Sequence, residues 1–317
     1  MKEKRKLTGE QYALIAFFSF TAANLFDKFG LSSGINAFAA LIFKDFIIWI
    51  VAVVICFRKK LFARYYNKKS PEYVGWKGIW PWLLSGPIMD VIGTAFFYIA
   101  ISVGSLVIAV PCIQSQTMWA ALIASVMLHE KLNKKTVMGI LVFIAGLLLV
   151  NCGSYFSGQP IEATGNSLLC AVIALIAGFA WAFSTVLWKK GMQYVDKWAG
   201  LAIHYPTGWL VAFIYLATSG NLAAYHAPVN GIFALAASGV IGDLIAVPTF
   251  LTAMSLTTVN KANVIKSAYP ILLSVLAWLI FKEYMNIWMF IGIVITVIGV
   301  VIVNRVPEGE EKTAYAK

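Results

Sequence analysis

Long apolar runs broken by short polar stretches dominate this sequence. Ten runs stand out, at about residues 11–30, 36–57, 79–101, 105–128, 135–152, 167–188, 198–218, 231–255, 259–281 and 286–304. Each has roughly the 20 residues that a helix needs to cross a bilayer. The pattern therefore predicts an all-α integral membrane protein with ten transmembrane helices. The first run follows a basic stretch, Lys2 to Lys6, as a secretory leader would. It lacks a small-residue cleavage site and continues into Asp27 and Lys28, so it reads as the first helix.

Composition removes the alternative of a soluble fold. Of 317 residues, 60% are apolar and 12% charged, with a mean hydropathy of +0.80, whereas soluble domains carry about a quarter charged residues. Ten spans would use almost the whole apolar content, leaving no room for a soluble catalytic domain. The four cysteines, Cys56, Cys112, Cys152 and Cys170, fall within or at the ends of apolar runs and form no disulfide framework.

Charge sets the expected orientation. The excess of 25 basic over 14 acidic residues gives +11, which in a soluble chain would suggest nucleic acid. Here 21 of the 25 basic residues fall in the tails and in the loops after spans 2, 4, 6 and 8. The opposite loops, around Ser32, Tyr155 and Tyr225, carry none. Basic residues collect on the cytoplasmic side, so both termini are predicted cytoplasmic in a multi-pass plasma-membrane protein, with no nucleic-acid partner. Residues 1–10 and 305–317 read as cytoplasmic tails and 153–166 as an external linker.

The chain also repeats itself. A shift of 153 aligns Gly78–Asn151 with Gly231–Asn304 without a gap, with 19 identities in 74 positions. The polar and small matches carry the signal: Ser85 with Ser238, Gly86 with Gly239, Asp90 with Asp243, Glu130 with Glu283, Gly139 with Gly292 and Gly146 with Gly299. The earlier spans match at a shift of 161, where Lys28 and Gly30 meet Lys189 and Gly191. Residues 11–152 and 167–304 thus each hold five spans. Because five is odd, the second repeat enters the membrane from the opposite side. Such inverted repeats are a common transporter device, since two equivalent halves can exchange conformations around a midplane site.

These features resemble the EamA-type branch of the drug/metabolite transporter superfamily: a Glu just after a long apolar helix in each half (Glu130, Glu283), a following Gly-x6-Gly helix, and Pro270 thirteen residues before Glu283. Thr117 stands where the first repeat would match Pro270. The resemblance implies a substrate cavity between spans 1–4 and 6–9, peripheral spans 5 and 10, and alternating access. It implies no particular substrate.

Candidate chemistry lies in polar groups at depth, because a charge at the centre of a span costs at least a few kcal/mol. Lys44, Asp45, Asp90, Asp243 and Lys266 are the five such charges. Asp90 and Asp243 each lie eleven residues along a span, about 16 Å deep from opposite faces, and so near the midplane. Depth also suggests two ion pairs, Lys44 with Asp90 and Lys266 with Asp243. The competing reading makes these pairs structural ties. Gln114, Asn263 and His204 are further polar candidates, and Trp119, Trp181, Tyr98 and Tyr269 could wall a cavity or take an organic cation. Asn24 and Gln116 are placed with these, core hydrogen bonding being the simpler reading for each. Glu130 and Glu283 read as structural repeat markers. No HExxH, GxSxG, phosphate-cradling loop or paired CxxC occurs, so neither enzyme activity nor a metal or cofactor is expected.

The sequence thus predicts a secondary transporter of a small polar organic metabolite, amino-acid-like by preference, with protons as a candidate coupling partner. An organic-cation carrier is the alternative within transport. A non-transporting receptor or scaffold is the alternative outside it.

Overall fold

The computed structural model describes residues 7–127, 134–156, 166–256, 265–266 and 268–304. These are helical apart from short connections, and no strand occurs among them. Six helical stretches are long and apolar enough to cross a membrane: Gly9–Ser32, Ala37–Arg58, Gly75–Val103, Ser167–Met192, Lys197–Thr218 and Val229–Ala253. Four shorter apolar helices, Leu106–Ala120, Val137–Gly153, Tyr269–Phe281 and Ile287–Val303, occupy the positions of the other expected spans.

Several helices begin where a polar side chain satisfies a free backbone N–H group. Helix α1 (Gly9–Ser32) starts with a capping box between Thr8 and Gln11. Asn36 caps α2 (Ala37–Arg58), and a six-residue α3 (Leu61–Tyr66) follows in the basic loop. The third span is built as α4 (Trp80–Gly86), a π-helical segment π1 (Pro87–Ala95) and α5 (Phe96–Val103). The fourth breaks at Gln114 and Ser115 between α6 (Leu106–Ile113) and α7 (Gln116–Met127). Pro111 weakens that helix just before the break, since it brings no N–H to its last turn. Then come α8 (Lys134–Phe156), α9 (Ser167–Met192, capped by Asn166) and α10 (Lys197–Thr218, capped by Asp196). The eighth span repeats the third, as α11 (Val229–Gly239), π2 (Val240–Ala246) and α12 (Val247–Leu256). Helices α13 (Tyr269–Phe281) and α14 (Ile287–Asn304) complete the described chain.

Corresponding helices of the two repeats pack antiparallel. In α8 and α14 the Gly-x6-Gly residues interlock: a Cβ on Gly146 would lie 2.4 Å from Thr296 N and one on Gly299 2.5 Å from Phe143 N. Without side chains there, the two backbones approach closely, which is how helices gain packing in lipid. Helices α2 and α10 also cross antiparallel, with Phe38 against Tyr215 (4.6 Å) near one end and Trp49 against Trp209 (5.5 Å) further along. Each repeat reaches into the other: α4 and π1 pack on α9 and α10, while α11 and π2 pack on α1 and α2.

Candidate functional site

The two π-helical segments occupy equivalent places, 153 residues apart, and each carries one of the paired aspartates. A π-helix leaves the i to i−4 ladder, so carbonyls are freed and side chains are re-aimed; such segments recur at functional sites. In π1 the Thr94 hydroxyl takes up one of those carbonyls, donating to Met89 O at 3.2 Å. Each segment follows a glycine pressed against the opposite repeat. A Cβ on Gly86 would fall 2.3 Å from His204 O, and one on Gly239 1.7 Å from Lys44 O. The sequence pattern Ser-Gly, five and four residues before each Asp, therefore marks a helix crossing.

The side chains in direct contact with Asp90 are neutral ones. Its Oδ1 is 3.4 Å from Nε2 of the fully buried His204, a close approach without good hydrogen-bond alignment. On the other side of the ring, Nδ1 is 2.8 Å from Ser85 Oγ, and the Trp188 indole reaches both, at 3.2 Å from Ser85 Oγ and 3.3 Å from Nδ1. An indole N–H only donates, and where it donates to Nδ1 the proton of the neutral imidazole is on Nε2, facing Asp90. Gly208 makes room for the carboxylate, since a Cβ there would lie 2.1 Å from Asp90 Oδ2.

Around Asp243 the surroundings are charged. Lys44 Nζ donates to Asp27 Oδ2 at 2.9 Å, and the Tyr98 hydroxyl donates to Asp27 Oδ1 at 2.9 Å. Lys44 also lies over the Tyr98 ring, 5.6 Å from its centre. Asp45 is buried beside the Trp209 indole and next to the Asp243 carboxyl group. Asp45, Asp90 and Asp243 lie within electrostatic reach of one another. Among the described residues, Oδ2 of Asp90 and Oδ2 of Asp243 have no hydrogen-bond partner.

The two ion pairs read from depth are corrected by this geometry. Lys44 pairs with Asp27, not with Asp90, because depth fixes height in the membrane and not the direction a side chain faces around its helix. Lys266 does not pair with Asp243. Its Nζ lies between the rings of Phe20 (4.9 Å) and Phe250 (4.6 Å), and no carboxylate of the described residues is within ion-pair distance. Phe250 follows Asp243 by seven residues, two helical turns, which separates the charges along the axis by about 10 Å.

The other sequence candidates scatter. Tyr98 and His204 join the cluster just described. Buried Gln114 accepts from Gln116 Nε2 at 3.1 Å, at the break in the fourth span. Trp181 packs on Phe97 (5.6 Å) and over Gly93, close to π1. Trp119 meets Phe179 edge-on at 5.4 Å, away from the aspartates, and Tyr269 stands against Phe20 at 6.5 Å. Asn24 is spent on its own helix, donating to Phe20 O. Glu283 accepts from Val107 N at 3.2 Å and sits 3.2 Å from Lys28 Nζ, while Lys28 donates to Ile101 O at 2.9 Å. It therefore joins α1, α5 and the start of α6 just beyond α13. Glu130 and Asn263 lie outside the described residues.

Sequence reasoning missed Asp27, Ser85, Trp188 and Gly208. By residue count Asp27 lies near the end of its span, and tryptophan reads first as packing. The one available signal was Ser85, matched with Ser238 in the repeat.

Fold and site together define a multi-pass membrane protein built from two similar helical repeats with buried charge where they meet. Residues 7–152 and 168–305 each match the EamA-like transporter family. The chain belongs to that family and is an integral membrane protein. It is 27% identical over 177 residues to an uncharacterized transporter of Clostridium kluyveri, a match covering 55% of this chain and 56% of that protein. It is also similar in fold to a protein of known crystal structure, with a TM-score of 0.57 at 15% identity, covering 93% of this chain and 95% of the other.

Proposed function

We propose that this protein is a secondary active transporter of a small organic solute that carries an ammonium group, held by Asp45, Asp90 and Asp243 and moved by alternating access. The observation that carries this reading is charge. Asp27 holds the one ammonium of the cluster, that of Lys44, and Asp45, Asp90 and Asp243 lie within its electrostatic reach with no ammonium of the described residues in ion-pair contact. Several ionised carboxylates crowded away from water are mutually destabilising, and a cation or protons entering among them restore the balance. Lys44 and Tyr98 already occupy Asp27, so Asp45, Asp90 and Asp243 are the groups left to a visitor.

In this reading the chain crosses the plasma membrane ten times in two inverted five-span repeats, with both termini cytoplasmic. The two halves alternate by exchanging conformations, and π1 and π2 are the joints. A π segment can relax towards regular helix by shifting its hydrogen bonds one residue, which turns the following side chains and moves each aspartate relative to its neighbours. The amino-acid-like solute and the organic-cation alternative share the ammonium group. Trp181 beside π1 and Trp209 beside Asp45 supply ring faces suited to a cation in either case.

Counterflow in liposomes of purified protein, screened over amino acids, amines and sugars, tests the proposal. Exchange of ammonium-bearing solutes and not of sugars is expected, lost in Asp45→Asn and Asp243→Asn. Exchange of neutral sugars that survives both substitutions would refute it, and no exchange of any solute would favour a scaffold.

A further inference from the structure

We infer that the basic loop between the second and third spans docks onto anionic phospholipid headgroups of the membrane face on its side. The inference is independent of the solute and of which way the chain is inserted.

Residues 57–78 hold seven basic residues and one acid, Glu72. Positive charge marks the orientation of a membrane protein, but the loops after spans 4 and 6 do so with three basic residues each. The corresponding loop of the second repeat, residues 219–230, has no Lys, Arg, Asp or Glu. It is also shorter. The register of the repeat slips from 161 to 153 across this loop, so the first repeat carries eight extra residues, in the stretch that brings Lys68, Lys69 and Lys77.

The loop is a fixed surface and not a loose tether. Helix α3 buries Leu61 and lays Phe62, Tyr65 and Tyr66 on the cluster of Cys56, Trp82 and Val195. The chain returning to the third span is tied to α3 where Val74 N donates to Tyr65 O at 3.0 Å and where Arg64 pairs with Glu72. That pair uses the loop's one acid. Arg58, Lys59, Lys60, Lys68, Lys69 and Lys77 are all exposed, with no carboxylate of the described residues within ion-pair distance. Phe57 adjoins Arg58 in the chain and Trp76 adjoins Lys77, and these two rings are 70% and 65% exposed. Large rings that stay open at the ends of spans sit at the headgroup level of a bilayer. Lysines and arginines at that level attract the phosphates of anionic lipids. Rings and unpaired cations side by side therefore fit an anionic headgroup, the rings meeting its apolar edge and the cations its charge. Because the loop joins α2 to the third span, lipid held there anchors the ends of the helices that carry Lys44, Asp45 and Asp90.

Electron spin resonance of the full chain in phosphatidylcholine vesicles tests this, with trace spin-labelled phosphatidylglycerol or phosphatidylcholine as the probe and the immobilised fraction as the readout. The native protein is expected to hold phosphatidylglycerol about fourfold more strongly than phosphatidylcholine at low salt, and the preference to shrink at high salt. The combined Lys59→Gln, Lys68→Gln, Lys69→Gln, Lys77→Gln variant should lose most of it, and the same four positions changed to Arg should keep it. A second variant with four substitutions outside the loop, Lys134→Gln, Lys135→Gln, Lys312→Gln and Lys317→Gln, has the same net charge as the first and should also keep it. Equal immobilisation of the two lipids by native protein would overturn the inference without recourse to any variant, and would leave the surface to an acidic protein. A preference that survives the four loop substitutions would overturn it too. So would a preference lost equally in the second variant, which would reduce the effect to net charge.

Discussion

The segments around Asp90 and Asp243 share a backbone and differ in company. Both are π-helical, both follow a Ser-Gly pair, and both glycines press on a carbonyl of the opposite repeat. Yet Asp90 meets His204, with Ser85 and Trp188 behind it, while Asp243 meets Asp45 next to the Asp27, Lys44 and Tyr98 set. At the shift of 161, Asp27 corresponds to Trp188 and Lys44 to Tyr205, so the charged partners of one half are aromatic in the other. The geometry that lets a span bend is kept in both repeats, and the side chains facing it have diverged. One half packs neutral groups against its carboxylate. The other balances charge.

That contrast can be broken from either side. The largest effect is expected on the charged side, where Lys44→Met leaves buried Asp27 without its ammonium. Losing one partner of such a pair costs about 3–5 kcal/mol, read as a fall in thermal unfolding temperature in detergent. Adding Asp27→Asn should recover most of the loss, and no recovery would mean that Lys44 acts through packing. The shared backbone predicts a smaller, matched cost for Gly86→Ala and Gly239→Ala, on the order of 1–3 kcal/mol each for overpacking. A large cost at one glycine and none at the other would show that the two crossings are not equivalent. Tyr98→Phe removes a hydrogen bond to a carboxylate and should cost about 1.5–3 kcal/mol, in the range of the glycine changes and at or below the lower limit for Lys44→Met. A larger loss would place Tyr98 at the centre of the charged set instead of at its edge.

Much of this was legible in the sequence, and the reasons are specific. Runs of about 20 apolar residues located the helices because a bilayer demands them, and the repeat located Asp90 and Asp243 because polar identities are rare in such runs. The π segments left no mark, since a change from i−4 to i−5 hydrogen bonding adds nothing to an apolar pattern. Counting residues placed Lys44 and Lys266 at their heights but gave no direction around the helix. Hence residue counting does not single out Asp27, one helix away, as the partner of Lys44, and it matches Lys266 with a carboxylate two turns distant. The pairing of Gly139 and Gly146 with Gly299 and Gly292 shows the opposite case: the spacing was visible, and only the fold shows that the two motifs meet.

The central claim is that the carboxylates between the repeats hold the positive end of the solute. It is tested most directly by counterflow of an ammonium-bearing solute through the Asp45→Asn, Asp243→Asn double variant, purified as a folded protein and compared with native protein at equal density in the same liposomes. Exchange should fall at least a hundredfold, the loss of about 2.7 kcal/mol of binding. Exchange at the native rate would contradict the account.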